Sequence, residues 1–262
     1  MITVAGRDIE FSWVGDEVAG RPTLVMLHEG LGSVSMWRDF PRALAERTRC
    51  RILTYSRFGY GQSARLEQPR PVSYMHDEAL IILPELLDKL GIQRPILFGH
   101  SDGGSIALIH AGRHPVAGVI ALAPHVFVED ISVKSIAAAK AAYQNTNLRE
   151  KLARHHADVD GVFWGWNDIW LHPDFRHWNI ESCLPAIECP ILVIQGMDDE
   201  YGTEEQILRI HRQAREVELL HLPACGHSPH RDQPESVLQT AARWIDLHNP
   251  SPRNCASGDC GN

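Results

Sequence analysis

Short apolar runs alternate with longer segments of helical periodicity along most of this chain. Apolar runs that fit buried strands occupy residues 24–27, 95–98, 116–122 and 190–195, and a further strand is predicted over 217–222. Helical spacing covers residues 35–48 and 74–90, and Pro84 is expected to kink the second helix. Continuous apolar strands that alternate with helices are typical of parallel sheets covered on both faces. The pattern therefore predicts an α/β fold with a mainly parallel sheet.

Three parts of the chain depart from this alternation. Residues 2–4 and 8–14 alternate apolar and polar positions, which predicts an opening β-hairpin. Between 126 and 187 the chain shows only helical segments, rich in alanine, arginine and aromatic residues. We predict a core of residues 1–125 and 188–249, a helical insertion at 126–187 and a poorly ordered tail at 250–262. The insertion holds Trp164, Trp166 and Trp170, which are expected either to pack against the core or to line an apolar pocket.

A G-x-S-x-G sequence lies between a predicted strand and a predicted helix. Gly99 and Gly103 flank Ser101 there, and such glycines allow a sharp turn with the helix close to the sheet. A serine on this turn projects its hydroxyl outward, and the helix N-terminus directs free N–H groups to the place where an oxyanion would form. A glycine-rich turn without chemistry is the alternative, but both flanks fit a nucleophile.

A serine nucleophile needs a base and a group that orients the base. Asp198 and Asp199 follow the predicted strand at 190–195, and His227 follows the strand at 217–222 in a Gly-His loop. The chain has 15 histidines, so this position after a strand, and not the residue type, makes His227 the candidate base.

Five blocks in this order make the chain similar to the α/β-hydrolase family. The blocks are residues 24–30, 55–63, 99–103, 196–199 and 226–235, which look like the oxyanion loop, the turn after the next strand, the nucleophile turn, the acid turn and the histidine loop. The resemblance implies an α/β-hydrolase fold in which the helical insertion caps the active site. It also implies the triad Ser101, Asp199 and His227, because the acid stands at the fourth place of G-x-x-D.

The sequence departs from the family pattern at three places. Glu29 stands where glycine is usual after the loop histidine, so the oxyanion donor is the N–H of either Gly30 or Glu29. Asp102 follows the nucleophile; its N–H can serve as the second donor, but its carboxylate opposes an oxyanion unless it is paired or points away. The turn at 55–63 lacks the usual acidic residue at its start. His28 and Arg57 are expected to brace these loops, and Glu29 and His125 are further pocket candidates.

Composition and motifs limit the kinds of partner and cofactor that we expect. A net charge of −8 and a pI near 6.0 argue against general nucleic-acid binding, and no apolar run is long enough to span a membrane. No signal peptide is evident, so a cytoplasmic location is expected. Six cysteines form no evident disulfide framework, although Cys255 and Cys260 could form a metal or redox pair in the tail. Without H-E-x-x-H, paired C-x-x-C or G-x-G-x-x-G motifs, we expect no metal and no cofactor.

The combined expectation is a serine hydrolase that cleaves a small carboxylic ester or thioester through an acyl-enzyme. Its partner would be a small-molecule substrate, and a homo-oligomer is compatible with the sequence. A carbon–carbon bond hydrolase of ring-cleavage products can use the same triad, with an arginine of the insertion binding a carboxylate; Arg149, Arg154 and Arg176 are available, although helices expose arginines routinely. A non-catalytic binding protein on the same scaffold is the second alternative.

Overall fold

A computed structural model describes residues 1–249 of the chain. It contains a two-stranded sheet and a seven-stranded sheet with the order β3-β5-β4-β6-β7-β8-β9. In chain order the strands are β1 (Ile2–Val4), β2 (Arg7–Ile9), β3 (Phe11–Val14), β4 (Leu24–Leu27), β5 (Ile52–Tyr55), β6 (Ile96–His100), β7 (Gly118–Leu122), β8 (Ile191–Gly196) and β9 (Val217–Leu222). Every neighbouring pair in the large sheet is parallel except β3 with β5. The predicted mainly parallel sheet is confirmed.

The opening segment differs from the single hairpin predicted. β1 and β2 form an antiparallel pair, but β3 leaves it and pairs with β5. The change occurs at Glu10, whose N–H donates to Ser63 Oγ at 2.8 Å and whose carbonyl accepts from the Ser56 N–H at 2.9 Å. These bonds to the following loops divide the predicted strand at 8–14 into two.

Helices cover both faces of the large sheet. The helices of the core are α1 (Phe40–Thr48), α2 (Tyr74–Asp77), α3 (Leu83–Lys89), α4 (Asp102–Ala111), α8 (Glu205–Gln213), α9 (Pro229–Asp232) and α10 (Pro234–His248). Successive residues of a strand point to opposite faces, so Leu24 and Met26 belong to the cluster with α1 and α10, while Val25 and Leu27 belong to the cluster with α2, α3, α4 and α8. The strands are therefore buried on both sides, as continuous apolar runs require.

Two predicted helices are interrupted. A π-helical turn (Glu78–Ile82) separates α2 from α3 immediately before Pro84, whose ring cannot fit a regular helix interior. The helix predicted over 35–48 is a 3₁₀ turn (Val34–Trp37) followed by α1, and the break is at Arg38, whose φ of 54° lies in the left-handed region.

The segment between β7 and β8 is helical, and we call its residues 126–187 the cap. It contains α5 (Asp130–Asn145), α6 (Leu148–Ala153), α7 (Val159–Trp170) and two 3₁₀ turns, Pro173–His177 and Glu181–Ala186. Tyr143 of α5 and Phe163 of α7 stack with ring centroids 3.7 Å apart. The predictions for the tail at 250–262, including Cys255 and Cys260, lie outside the described residues.

Candidate active site

The turn between β6 and α4 holds Ser101 in a strained conformation. Its φ is 53° and its ψ is −119°, which non-glycine residues rarely adopt. Glycines make the turn possible because other backbone lies against it. A Cβ on Gly103 would lie 2.0 Å from the Leu27 carbonyl oxygen, and one on Gly99 would lie 2.2 Å from the Gly103 oxygen. The chain thus places the N-terminus of α4 directly against the end of β4.

Ser101, His227 and Asp199 meet at the carboxyl edge of the sheet. Ser101 Oγ lies 2.9 Å from His227 Nε2, and His227 Nδ1 lies 2.9 Å from both Asp199 carboxylate oxygens. Asp199 follows β8 and is buried, whereas its neighbour Asp198 is exposed to solvent. The structure therefore brings together the three residues that the motif order singles out, with Asp199 in the place of the acid.

Further hydrogen bonds hold the Asp199 carboxylate. Oδ1 accepts the N–H groups of Tyr201 at 2.8 Å and Gly202 at 3.2 Å, and Oδ2 accepts from Gln195 Nε2 at 2.7 Å. Burial by itself raises the pKa of Asp199, but the hydrogen bond and the charge of His227, together with the Tyr201 N–H, outweigh burial, and the net pKa lies below its usual value. The carboxylate is ionised and can fix the ring of His227.

The loop after β4 holds the peptide between Glu29 and Gly30 in a defined orientation. The carbonyl of Glu29, in the peptide joined to Gly30, lies 2.7 Å from His28 Nδ1 and accepts from Arg57 Nη2 at 2.9 Å. Burial and then the charge of Arg57 lower the pKa of His28 well below its usual value. The neutral ring donates from Nδ1 and accepts the Arg57 backbone N–H at Nε2. Since this peptide is trans, its N–H points away from those donors.

Two carboxylates flank this region, and each has cationic or hydrogen-bonding partners. Asp102 is fully buried; it accepts from Tyr74 Oη at 2.8 Å and Trp170 Nε1 at 3.3 Å, and Arg57 Nη2 lies 3.6 Å away. The sequence indicated Arg57 only as a loop brace and missed Tyr74. Arg57 and Asp102 each lie just after a parallel strand, so both are expected at the same edge of the sheet. This position, together with their opposite charges, is the signal that could have found the ion pair.

Glu29 is the second carboxylate. Its Oε1 accepts from Arg231 Nη2 at 3.1 Å, and its Oε2 lies 3.6 Å from His100 Nδ1, which is an electrostatic contact and not a hydrogen bond. Burial raises the pKa of Glu29, but His100 and Arg231 outweigh this and hold it well below its usual value. His100 Nε2 in turn lies 2.7 Å from the His227 carbonyl oxygen. The Glu29 side chain therefore supports the histidine loop.

Three of the predicted pocket residues, His125, Trp166 and Trp170, lie close to the catalytic candidates or to the oxyanion loop. The buried His125 ring lies 5.7 Å from the ring of His227 and 5.0 Å from that of Trp170. Burial, and then the charge of His227, lower the pKa of His125 to about 3, so it is neutral. Trp166 lies against the oxyanion loop, because a Cβ on Gly30 would be 2.1 Å from its Nε1. Trp164 lies apart, edge-on to Tyr143 at 5.7 Å.

A family model described as the alpha/beta hydrolase family matches residues 24–240. The chain belongs to the α/β-hydrolase family. The dihydrolipoyllysine-residue acetyltransferase component of the acetoin cleaving system of Pseudomonas putida is 27% identical over 269 residues, 94% of this chain and 68% of that protein.

Solved α/β hydrolases share the fold at lower identity. Proline iminopeptidase of Mycobacterium smegmatis superposes with a TM-score of 0.76 at 17% identity, over 95% of this chain and 97% of that one. The meta-cleavage product hydrolase of Pseudomonas fluorescens IP01 gives a TM-score of 0.71 at 17% identity, over 94% and 97%. These structures share the architecture of this α/β hydrolase.

Three features of residues 1–249 bear on other kinds of site in this α/β hydrolase. Histidine, cysteine and acidic side chains do not gather there in a group of three that could hold a metal ion. The cysteines described, Cys50, Cys183, Cys189 and Cys225, are free thiols. None of the helices within residues 1–249 has the length and hydropathy of a membrane span.

Proposed function

We propose that this α/β hydrolase is a serine hydrolase that cleaves a small carboxylic ester or thioester through an acyl-enzyme. The observation that carries the proposal is the continuous hydrogen-bonded series from Asp199 through His227 to Ser101, with each contact at 2.9 Å. A neutral imidazole with an ionised carboxylate on Nδ1 has its lone pair on Nε2, where it can accept the serine proton.

In the proposed reaction, Ser101 Oγ attacks the acyl carbonyl carbon while its proton moves to His227 Nε2. The tetrahedral intermediate collapses, and the leaving alcohol or thiol takes that proton from His227. Water then attacks the acyl-enzyme, gives one proton to His227, and the acid is released as the proton returns to Ser101. Asp199 holds the required tautomer and stabilises the imidazolium in both halves.

The backbone N–H groups of Asp102 and Gly30 are the proposed oxyanion donors. Asp102 begins α4, so its N–H has no partner within the helix. The orientation of the Glu29 carbonyl toward His28 and Arg57 supports Gly30 as the second donor in preference to Glu29. Preorganised donors of this kind stabilise charge that develops in the transition state.

The surroundings of Ser101 favour a small acyl group. Ser101 is only 7% exposed, and Trp166 lies against Gly30. The cap arginines do not favour a diacid substrate: Arg149 pairs with Asp160, Arg176 pairs with Asp130, and Arg154 is exposed. The carbon–carbon hydrolase alternative therefore lacks its expected cap carboxylate ligand.

Labelling with a fluorophosphonate tests the nucleophile. We expect covalent modification at Ser101 and hydrolysis of short p-nitrophenyl esters, with Ser101→Ala abolishing labelling and reducing turnover about 10⁴-fold or more. Ser105→Ala is the matched control, since this serine lies one turn further along α4 and donates to the His125 carbonyl. Labelling that persists in Ser101→Ala would exclude the assignment, and a folded wild type that neither labels nor hydrolyses esters would favour a binding protein.

Steady-state kinetics on two substrate sets decides between bond types. Short aryl and alkyl esters and thioesters form one set, and vinylogous diketo acids form the other. We expect the larger kcat/KM on the esters or thioesters. A larger kcat/KM on a diketo acid would replace the esterase assignment with carbon–carbon bond hydrolysis.

A further inference from the structure

Arg57 is a fully buried cation that contacts both halves of the proposed oxyanion hole. Its Nη2 donates to the Glu29 carbonyl at 2.9 Å and to the His28 carbonyl at 3.3 Å, and the same nitrogen lies 3.6 Å from Asp102 Oδ2. The Glu29 carbonyl belongs to the peptide that carries the Gly30 N–H, and Asp102 carries the other donor. One guanidinium therefore links the residues of both donors.

We propose that Arg57 is a positioning residue for the oxyanion hole: its guanidinium orients the Glu29–Gly30 peptide and neutralises the Asp102 carboxylate beside the developing oxyanion. The inference rests on the proposed function, because it concerns the transition state of acyl transfer.

Arg57 holds the orientation of the Glu29–Gly30 peptide. A trans peptide carries its N–H opposite to its C=O, so a donor that holds the Glu29 carbonyl also sets the direction of the Gly30 N–H. Charge-assisted hydrogen bonds are shorter and stronger than neutral ones, and they polarise the groups to which they are linked. Arg57 thus makes the Gly30 N–H both fixed in direction and a better donor.

Arg57 also offsets the negative charge of Asp102. A carboxylate on the residue that donates to an oxyanion would oppose the transition state in this buried environment. Asp102 is 0% exposed, so solvent does not screen it. Burial pushes the pKa of Arg57 down, but Tyr60 and Asp102 outweigh this and raise the pKa, so the cation that offsets Asp102 is permanent.

The surroundings of Arg57 are poorly explained by stability alone. A buried guanidinium costs several kcal/mol of desolvation, which complete hydrogen bonding is needed to offset. Within residues 1–249 the Nη1 of Arg57 has no hydrogen-bond partner, and the Tyr60 ring covers the guanidinium with its centroid 4.8 Å from Cζ. An apolar side chain would fill this place at lower cost, so a role in the reaction accounts better for a charge there.

The test uses Arg57→Gln, Asp102→Asn and the double variant on p-nitrophenyl acetate. We expect Arg57→Gln to lower kcat about 10²-fold with KM nearly unchanged, as the loss of an oxyanion donor does. Affinity for a trifluoromethyl ketone, which forms an oxyanion on the serine, should fall in parallel with kcat. Adding Asp102→Asn should restore kcat at least about fivefold over Arg57→Gln, because it removes the uncompensated anion.

The rescue separates positioning from a purely structural role, since a second buried substitution in a merely weakened fold would lower activity further. Kcat of Arg57→Gln within threefold of wild type, or a double variant no better than Arg57→Gln, would overturn the proposal. If Arg57→Gln does not fold, Arg57→Lys decides: it keeps the charge but loses the fork, and we expect about a tenfold lower kcat. Wild-type kcat in Arg57→Lys would overturn the inference.

The same experiment separates a failure of the inference on Arg57 from a failure of the proposed function. A wild type that hydrolyses the ester and labels at Ser101, with Arg57 variants equal to it, contradicts the inference alone. A folded wild type that does neither contradicts the proposed function itself, and with it the inference.

Discussion

The loops at the carboxyl edge of the sheet and the cap contribute to the site in different ways. The loops place His227 within 2.9 Å of both Ser101 and Asp199, and they carry the backbone N–H groups that we propose as oxyanion donors. The strand ends and a strained turn set these positions. The cap adds side chains only, chiefly Trp166 against Gly30 and Trp170 on Asp102.

The cap is also attached to the glycine-containing loops beneath it. His156 Nδ1 accepts the Gly61 N–H at 3.0 Å, and its Nε2 lies 3.0 Å from the Leu31 carbonyl oxygen. His155, the adjacent residue, lies 2.9 Å from Ser35 Oγ. This difference between the loops and the cap indicates separate roles. Changes in the loops should act on kcat, and changes in the cap should act on the choice of substrate unless they reach the oxyanion residues.

The two neighbouring aspartates after β8 provide the strongest test of the loop contribution. We expect Asp199→Asn to lower kcat about 10³- to 10⁴-fold, because an amide no longer holds the required His227 tautomer. Asp198→Asn is the matched control and should stay within a fewfold of wild type, since Asp198 is exposed. Ester kinetics on both variants checks the ranking, and the reverse order would remove Asp199 from the acid role.

Sequence reasoning predicted the parts of this molecule that depend on local pattern. The β6–Ser101–α4 turn follows from glycines between an apolar run and a helix, and its φ of 53° is the strain that such a turn requires. An acid after β8 and His227 after β9 follow because parallel strands end at the same edge, so residues far apart in the chain meet there. The choice of Asp199 over Asp198 comes from the spacing in the family that the sequence resembles.

Contacts between side chains from distant segments could not be predicted in the same way. The pairing of Asp102 with Arg57, Tyr74 and Trp170 joins a strand-end loop, a helix start and the cap. Neither the periodicity nor the spacing of residues determines which side-chain rotamers come into contact. The departure of β3 from the hairpin has the same origin, since Ser63 and Ser56 lie more than 40 residues from Glu10.

The contact between Gly30 and Trp166 tests the junction of the two regions. A Cβ on Gly30 would lie 2.1 Å from Trp166 Nε1, so Gly30→Ala must displace the loop or the ring. We expect kcat/KM to fall about 10²-fold, which is a typical effect of a misplacement near 1 Å. Adding Trp166→Leu should recover at least about tenfold of that loss by making room for the methyl group.

Gly165→Ala is the control for Gly30→Ala within the cap. Its Cβ would meet the end of the Leu66 side chain at 3.1 Å and Arg70 Nε at 3.7 Å, both far ends of flexible side chains, so activity should change less than about twofold. Kcat/KM of Gly30→Ala equal to wild type would show that the oxyanion loop tolerates movement and does not depend on the ring above it.

His110 of α4 tests how far the core depends on pH. Burial lowers the pKa of His110 to about 4, although the bond between Nδ1 and the Ala79 carbonyl at 2.8 Å partly opposes this. The unfolded chain, with a histidine pKa of about 6.5, binds this proton first, so stability is full above that pH and falls toward pH 4. We expect a loss of about 2 kcal/mol between pH 7 and 5 from this residue.

Urea unfolding of His110→Gln at pH 5 and 7 checks this expectation. The variant should show a shallower loss of stability on acidification than wild type. Ile109→Val, at the adjacent buried position, is the control, because it should lower stability equally at both pH values. A slope in His110→Gln as steep as in wild type would place the responsible protons elsewhere.

Tyr74 and Trp170 allow the core and the cap to be compared at one carboxylate, because each region contributes one donor to Asp102. Tyr74 Oη lies 2.8 Å from Asp102 Oδ2, and Trp170 Nε1 lies 3.3 Å from Oδ1. Double-mutant cycles with Asp102→Asn isolate each interaction from the packing lost with each ring. We expect unfolding to give a coupling of about 2 kcal/mol for Tyr74→Phe and below about 1 kcal/mol for Trp170→Phe, since hydrogen bonds to charged groups weaken as they lengthen. Equal couplings would mean that the cap holds the nucleophile turn as firmly as the core does, and the separate roles of the two regions would not apply at Asp102.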